Sequence, residues 1–302
     1  MKGKDGLQFI DIQALYAKAG VFCYDPGYAF TGSCMSSITM AREDGEIFYR
    51  GYALSELVEK SNYVEVCYIL LYGDRPKADE LGQFEQRIKS EMLVHQKIHD
   101  MYKGFHPDAN PMAQLGSVVA GLSSFMGSEN VRDSAYREET AIKLIAKMPV
   151  LAAIAFRNSV GLPIVGPNKN LGFVHNFLHM MFQDPMDSHS QIPDIFITLM
   201  MKVMIIYADM GQGPSTTAVR IAGSSLANPY ATISAGIASL WGHHHGGAAE
   251  ECLRMFKQIG SVNQVADYVN GCKKKENRLW GFGHRVLKGY DCRAKALKAM
   301  IF

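Results

Sequence analysis

The sequence predicts a mainly α-helical fold that carries one short β-hairpin near its N-terminus. Two β-prone runs, 38–41 and 46–49, flank the dipeptide Asp44-Gly45, which is the strongest local hairpin signal in the chain. Beyond the hairpin, apolar residues recur at the i, i+3, i+4, i+7 spacing of amphipathic helices. The composition, with 48% hydrophobic and 20% charged residues, is that of an ordinary globular protein.

The helices can be placed by their capping residues and apolar stripes. Ser61 or Asn62 can cap a helix with an apolar stripe at positions 64, 67, 68 and 71, and Gly73 stands where the chain should leave it. Loops are expected around 163–167 and from Asp184-Pro185 onward. Further helices are predicted at 78–94, 112–126, 136–160, 171–182 and 193–208.

Another helix should start at Asn228-Pro229, because proline is tolerated in the first turn. Its residues at 231, 234, 235, 238 and 239 are all alanine or serine, so the helix is narrow and should pack closely against a neighbour. That neighbour can belong to a dense interior or to a second subunit.

Composition and charge exclude several classes of protein. A formal charge of +2 favours no nucleic-acid partner, and no phosphate-binding glycine motif is present. The most apolar stretch, 195–207, is interrupted by Lys202 and is too short to insert into a membrane, so we predict a buried helix.

The six cysteines are scattered along the chain, a pattern that favours neither a zinc site nor disulfides. They predict a reducing intracellular compartment, which is the cytoplasm or, in a eukaryote, the mitochondrial matrix or the peroxisome. Residues 1–6 resemble neither a secretory signal nor a transit peptide.

His245 is the first candidate for chemistry. It precedes Gly246-Gly247 and the start of a predicted helix, where small residues and free N–H groups could admit an anionic ligand. The run His243-His244-His245 can also be a simple polar turn, and its spacing does not favour a metal.

His284 and Arg293 form the second candidate, on a glycine-rich loop near residue 302. A histidine can donate to a carbonyl oxygen that gains negative charge, and an arginine can hold a carboxylate with two hydrogen bonds, which together suit a small keto acid. The alternative is a structural histidine beside an Arg293 that is paired with Asp291.

These segments, in their order, resemble the citrate synthase family nearly from end to end. The two histidine loops are specific to the family, and the chain resembles the bacterial-type and peroxisomal enzymes more than the animal mitochondrial form. The matching runs are 21–27, 33–34, 49–52, 65–73, 106–107, 147–149, 176–178, 218–220, the His245 loop and the His284 loop.

The resemblance implies a helical homodimer, or a larger assembly, in which a small domain closes over oxaloacetate and acetyl-CoA. It places a large domain at 1–244 and the first part of the small domain at 245–302. It makes His245 and His284 the catalytic histidines and Arg293 a binder of an oxaloacetate carboxylate. It implies no metal and no permanently bound cofactor, with coenzyme A or acetyl-CoA as the possible substrate. The segment that should contact coenzyme A consists of Leu279, Trp280, Gly281, Phe282 and Gly283.

Several site positions depart from the family pattern. Met210 stands where the family has an oxaloacetate-binding histidine, and a thioether cannot donate a hydrogen bond to a carboxylate. Ala249 and Cys292 also replace family residues. Family members continue beyond the position of Phe302 into a segment with the aspartate base and two more substrate arginines. The sequence therefore predicts impaired or lost citrate synthase activity or, alternatively, a structural or assembly subunit that keeps the helical dimer surface.

Overall fold

The computed structural model describes residues 8–26, 31–126, 130–187, 191–284 and 287–301. The fold is mainly helical, as predicted, with one small sheet near the N-terminus. Residues 1–6, Gly27 of the first matching run, the pair 285–286 of the His284 loop and Phe302 lie outside the described residues. The helices are α1 (Leu15–Ala19), α2 (Leu54–Lys60), α3 (Tyr63–Tyr72), α4 (Ala78–Ser90), α5 (Gln96–Lys103), α6 (Pro111–Gly121), α7 (Ser134–Ser159), α8 (Phe173–Phe182), α9 (Asp194–Ile206), α10 (Pro214–Ser224), α11 (Pro229–Leu240), α12 (Ala248–Ile259), α13 (Val265–Lys273) and α14 (Cys292–Ile301).

The predicted hairpin is confirmed. Strand β1 (Thr39–Ala41) pairs antiparallel with β2 (Ile47–Tyr49), with Met40 opposite Phe48. Gly45 lies in the turn with a φ of +98°, which a residue with a side chain adopts only under strain. A third strand that the sequence did not indicate, β3 (Tyr52–Ala53), pairs with β2 after a turn at Arg50-Gly51.

Helix α3 follows its predicted caps closely. The side chain of Asn62 accepts a hydrogen bond from the Glu65 N–H, and Gly73 ends the helix in the left-handed conformation. Helix α4 is shorter than predicted and ends at Ser90. The Nζ of Lys147, on α7, donates to the carbonyl oxygens of Glu91 and Leu93, so this segment bonds to α7 instead of continuing the helix.

Two hydrophobic clusters hold the fold together. The first surrounds the central part of α7 and takes side chains from α3 to α6, α8 and α11. The second joins β2, α2, part of α3, the end of α9 and the start of α14, with Ile47, Tyr49 and Leu57 fully buried. Because β2 and α14 share this second cluster, the hairpin lies next to the segment that carries Arg293.

The prediction that the helix at 195–207 is buried was wrong. The helix forms as α9, but only Ile205 and Ile206 are fully buried, whereas 65% of Ile195 and 56% of Phe196 are exposed. Burial depends on which elements pack around a helix, and α9 meets its neighbours mainly at its C-terminal end. No helix in the described ranges is long and apolar enough to span a bilayer.

The narrow helix predicted after Asn228 is confirmed as α11, and it packs within the chain between α10 and α6. A Cβ on Gly236 would lie 2.6 Å from a methyl group of Val219 on α10. On the other side, the Ser234 hydroxyl donates to the Gly116 carbonyl on α6 at 2.7 Å. The division into a large domain at 1–244 and a small domain from residue 245 stays a prediction. Helix α14, which belongs to the predicted small domain, packs against α2 and α9 of the predicted large domain.

Candidate active site

His245 lies in the turn between α11 and α12, where it contacts the segment that leads into α10. Its Nε2 is 2.9 Å from the Ser215 hydroxyl oxygen, and a Cβ on Gly213 would lie 3.5 Å from its ring. Partial burial lowers the pKa of His245 below its ordinary value, since the charged ring would lose hydration. His245 is therefore a neutral imidazole near pH 7, held at one ring nitrogen.

The expectation that the start of α12 offers free N–H groups to an anion was wrong for its first residues. The Gly247 N–H donates to the carbonyls of Leu240 and Gly242, both at 3.1 Å, and the Ala248 N–H donates to the His245 carbonyl at 3.1 Å. A Cβ on Gly247 would lie 2.3 Å from the Trp241 carbonyl oxygen. Gly247 therefore permits a tight reversal of the chain after α11, which shapes the turn that carries His245.

The segment expected to contact coenzyme A lies beside this turn. The Arg278 guanidinium stacks 4.2 Å from the centre of the Trp280 ring, and its Nη1 is 3.3 Å from Nδ1 of His244. A Cβ on Gly281 would lie 3.2 Å from the Cys252 sulfur on α12. The 278–281 segment thus packs on the start of α12 and on the neighbour of His245. Leu279 lies between the two stacked residues, and Phe282 and Gly283 follow the segment, with Phe282 71% exposed.

His284 is oriented by the backbone that follows it. The Leu287 N–H donates to its Nδ1 at 3.0 Å, so the neutral ring carries its proton on Nε2. Partial burial is the main cause that lowers the pKa of His284, and the positive charge of Arg293 adds to it, whereas Asp291 opposes it. Near pH 7 the ring is a neutral donor through Nε2.

Arg293 lies in the first turn of α14 and forms a two-pronged ion pair with Asp291. Its Nε is 3.1 Å from Oδ1 and its Nη2 is 2.8 Å from Oδ2, and the Asp291 side chain also accepts from the Arg293 N–H. Burial alone would raise the pKa of Asp291, but the hydrogen bonds and charge of Arg293 outweigh it and lower that pKa. The pairing of Arg293 with Asp291, which the sequence left open, is present in the structure.

Met210 belongs to a loop that the hairpin holds. Its side chain is half-buried against the second hydrophobic cluster. The carboxylate of the preceding Asp209 accepts from the Thr39 hydroxyl on β1 and from the Gly211 N–H, and the Asp209 carbonyl accepts from the buried Tyr49 hydroxyl at 2.9 Å. The position that the resemblance assigns to an oxaloacetate-binding histidine therefore carries an apolar side chain in an apolar contact.

The loop at 209–215 links His245 to the second hydrophobic cluster. One end, at Ser215, holds His245, and the other end, at Met210, reaches the hydrophobic cluster that contains Cys292 next to Arg293. Sequence reasoning did not single out Ser215, although its place after Gly213-Pro214 at the start of a helix is a detectable signal. Among the described residues, no group of three histidine, cysteine or acidic side chains is placed to hold a metal ion.

Comparison with known proteins shows the family of the chain. Residues 27–302 match the family model described as citrate synthase, C-terminal domain. The chain belongs to the citrate synthase family. Two similar solved structures are the citrate synthases from Thermotoga maritima MSB8 (28% identity, TM-score 0.80) and Pyrobaculum aerophilum (29%, 0.81). The first match covers 92% of this chain and 73% of that one, and the second covers 97% and 74%.

A third similar structure is the citrate synthase from the archaeon Thermoplasma acidophilum, in a ternary complex with carboxymethyl coenzyme A and oxaloacetate. It is 24% identical, with a TM-score of 0.84, and the match covers 89% of this chain and 70% of that one. At this identity the likeness supports the fold.

Proposed function

We propose that this chain binds a coenzyme A thioester and oxaloacetate in the manner of a citrate synthase, and that its condensation activity is impaired. One observation carries the proposal: the two glycine-loop histidines, His245 and His284, each have a hydrogen bond at a ring nitrogen, and partial burial lowers the pKa of both, so both rings are neutral near pH 7. A neutral imidazole can donate its one N–H to a carbonyl oxygen that gains negative charge.

His245 serves the thioester in this proposal. If the Ser215 hydroxyl donates to Nε2, the ring proton is on Nδ1, which can donate to the thioester oxygen of the acetyl group. If a base takes a methyl proton from the acetyl group, negative charge moves onto that oxygen, and the Nδ1–H would stabilise the resulting enolate. The nearby 278–281 segment, with Trp280 stacked under Arg278, would bind the coenzyme A portion.

His284 and Arg293 serve oxaloacetate. The Nε2–H of His284 would donate to the ketone oxygen, which becomes the hydroxyl of citrate after attack by the enol. Arg293 would hold one carboxylate, although Asp291 already accepts from two of its nitrogens and neutralises part of its charge. Asp291 is a poor base for the acetyl proton, since its pKa is lowered and Arg293 bonds both of its oxygens.

The impairment follows from Met210. A histidine at this position can donate to a carboxylate of oxaloacetate, whereas the thioether has no donor and lies against the second hydrophobic cluster. Loss of one hydrogen bond to a charged group typically weakens binding by roughly 1.5–3 kcal/mol, or about ten- to a hundredfold. We therefore expect the impairment to affect oxaloacetate binding more than coenzyme A binding.

The test combines a thiol-release assay with a gain-of-function substitution. The purified chain should release no free thiol from acetyl-CoA and oxaloacetate above background, while acetyl-CoA alone should raise its melting temperature. Met210→His should then tighten oxaloacetate binding, measured by calorimetry, by about tenfold or more. Met200→His on α9, a half-buried methionine outside the site, is the matched control and should change nothing.

Three results would contradict the proposal. Fast turnover by the unmodified chain would refute the impairment. Equal oxaloacetate binding by the unmodified chain and by Met210→His would show that Met210 does not cause the impairment. No response to acetyl-CoA would contradict ligand binding and favour the alternative, a structural or assembly subunit.

An apolar groove of about 450 Å³ favours that alternative. It lies between α8 and α9 and is lined by Leu178, Phe182, Phe196, Met200 and other apolar side chains. In an assembly subunit this groove would contact another protein, and no ligand would change the melting temperature of the chain.

Association into a homodimer is also part of the proposal. Helix α10 has no fully buried residue although it packs on α11, and 57% of Ile221 and 48% of the following Leu226 are exposed. An apolar helix face of this kind is suited to a second copy of the chain.

A further inference from the structure

The turn of the β-hairpin lies against segment 287–292, which precedes Arg293, although the two are far apart in sequence. The N–H groups of Lys288 and Gly289 donate to the Glu43 carbonyl at 2.9 and 2.8 Å, and the Cys292 N–H donates to the Gly45 carbonyl at 3.1 Å. Three backbone hydrogen bonds therefore join the turn to this segment.

This close approach needs glycine on both sides. A Cβ on Gly45 would lie 2.2 Å from the Tyr290 carbonyl oxygen, and a Cβ on Gly289 would lie 2.2 Å from the Asp44 carbonyl oxygen. Any side chain at either position would push the two backbones apart and break the hydrogen bonds between them. The two glycines thus make a reciprocal contact.

The same segment determines how the two candidate site residues are held. Its first residue, Leu287, donates through its N–H to Nδ1 of His284. Its last residues, Asp291 and Cys292, lie at the start of α14, where Asp291 precedes the helix and binds Arg293, and the Cys292 side chain is buried in the second cluster with Ile47. A shift of the segment would therefore move both His284 and Arg293.

We propose that the hairpin turn 42–46 positions the ketone-binding part of the site, with Gly45 and Gly289 as positioning residues that fix the ring orientation of His284 and the start of α14. This inference rests on the proposed function in naming oxaloacetate as the ligand. The orientation of His284 itself can be measured without any ligand.

Gly45→Ala and Gly51→Ala form a matched pair of variants. Both glycines belong to the sheet region and have similar left-handed φ values, +98° and +94°, so alanine causes a similar backbone strain at both. They differ in surroundings, because a Cβ on Gly51 meets no atom within 4 Å, whereas one on Gly45 collides with the Tyr290 backbone.

The readout is the ring of His284, observed by ¹⁵N NMR of histidine-labelled protein. The unmodified chain and Gly51→Ala should show a neutral ring protonated on Nε2, with Nδ1 as an acceptor. Gly45→Ala should lose this tautomer signature, and the pKa of His284 should rise toward its ordinary value. Oxaloacetate should bind Gly45→Ala about tenfold more weakly than Gly51→Ala. An unchanged tautomer and pKa in a folded Gly45→Ala would overturn the proposal.

Two further measurements keep the test decisive if Gly45→Ala does not fold. Gly289→Ala removes the same contact from the other side without a positive φ, and Gly172→Ala, where a Cβ meets no atom within 4 Å, is its control. In the unmodified chain, the amides of Lys288, Gly289 and Cys292 should be protected from hydrogen exchange, and unprotected amides would also overturn the proposal. If the histidine results are as expected but oxaloacetate binds no variant, the proposed function fails and the positioning role stands.

Discussion

The group bonded to a ring nitrogen governs which nitrogen of each site histidine carries the proton. His284 accepts from a backbone N–H, which leaves no choice of tautomer for the neutral ring. His245 faces a serine hydroxyl, which can donate or accept, so its tautomer depends on how that hydroxyl turns. The Ser215 side chain is thus as important to the proposed chemistry as the histidine that it contacts.

Ser215→Ala should remove the hydrogen bond at Nε2 of His245. We expect the ring to become a mixture of tautomers, acetyl-CoA to bind more weakly, and the free energy of unfolding to fall by about 1 kcal/mol. Histidine NMR, calorimetry and urea denaturation measure the three effects. Ser224→Ala is the control on the same helix, because the Ser224 hydroxyl donates only to the Ile221 carbonyl one turn earlier. Equal effects of the two substitutions would contradict the role given to Ser215.

At the scale of elements, α7 and α8 are joined by a buried cation. Arg157, 1% exposed near the end of α7, donates to the Pro163 carbonyl and to those of Met181 and Gln183 at 2.9 and 3.1 Å. The last carbonyls of a helix carry negative partial charge and have no partner within the helix. One guanidinium therefore donates to carbonyl oxygens at the end of α8 and in the loop after α7.

Arg157→Met keeps much of the buried apolar part of the side chain but removes every N–H donor of the guanidinium. Because several buried carbonyls would lose their partner, we expect the free energy of unfolding to fall by roughly 3 kcal/mol or more. Arg254→Met on α12, where the arginine side chain is 60% exposed and paired with Glu250, should cost less than about 1 kcal/mol. Urea unfolding of both variants measures the difference, and a similar small loss for both would show that Arg157 is dispensable.

At the scale of the whole molecule, partly buried histidines couple stability to pH. Burial is the main cause that lowers the pKa values of His99, His179, His245 and His284 below the ordinary value of 6.5. The unfolded chain then binds more protons than the folded chain just below pH 6.5, so the free energy of unfolding falls as the pH drops through that range. Above about pH 6.5 this contribution is fully present.

We therefore expect the melting temperature to decrease steadily between pH 7 and pH 5. The double substitution His99→Gln and His179→Gln, which leaves the candidate site untouched, should make this decrease smaller. Calorimetric scans at several pH values test both statements. A melting temperature that is constant over this range would be inconsistent with the burial of these rings.

The proposed homodimer is a property of the whole molecule as well. The chain should sediment as a dimer at micromolar concentration, and Ile221→Lys should shift it toward monomers because a charge would enter an apolar contact. Ile195→Lys, at a similarly exposed isoleucine on α9, should leave the dimer intact. A monomer in the unmodified chain would refute the proposal.

The sequence by itself determined the local features and the family. The Asp44-Gly45 hairpin, the Asn62 and Gly73 caps of α3 and the Asn228-Pro229 start of α11 each depend on residues within one turn of each other. Local interactions of this kind can be identified from spacing and residue type alone. The two histidine loops supported the family resemblance, because their glycines and histidines are adjacent in the chain.

Only the tertiary structure decided what these loops contact. The bond from Ser215 to His245, the apolar contact of Met210 and the approach of Gly45 to Gly289 join residues that are distant in sequence. The partial exposure of α9 and the occupied N–H groups of α12 also follow from how neighbouring elements pack. Such contacts depend on the relative placement of whole elements, and residue spacing along the chain does not specify that placement.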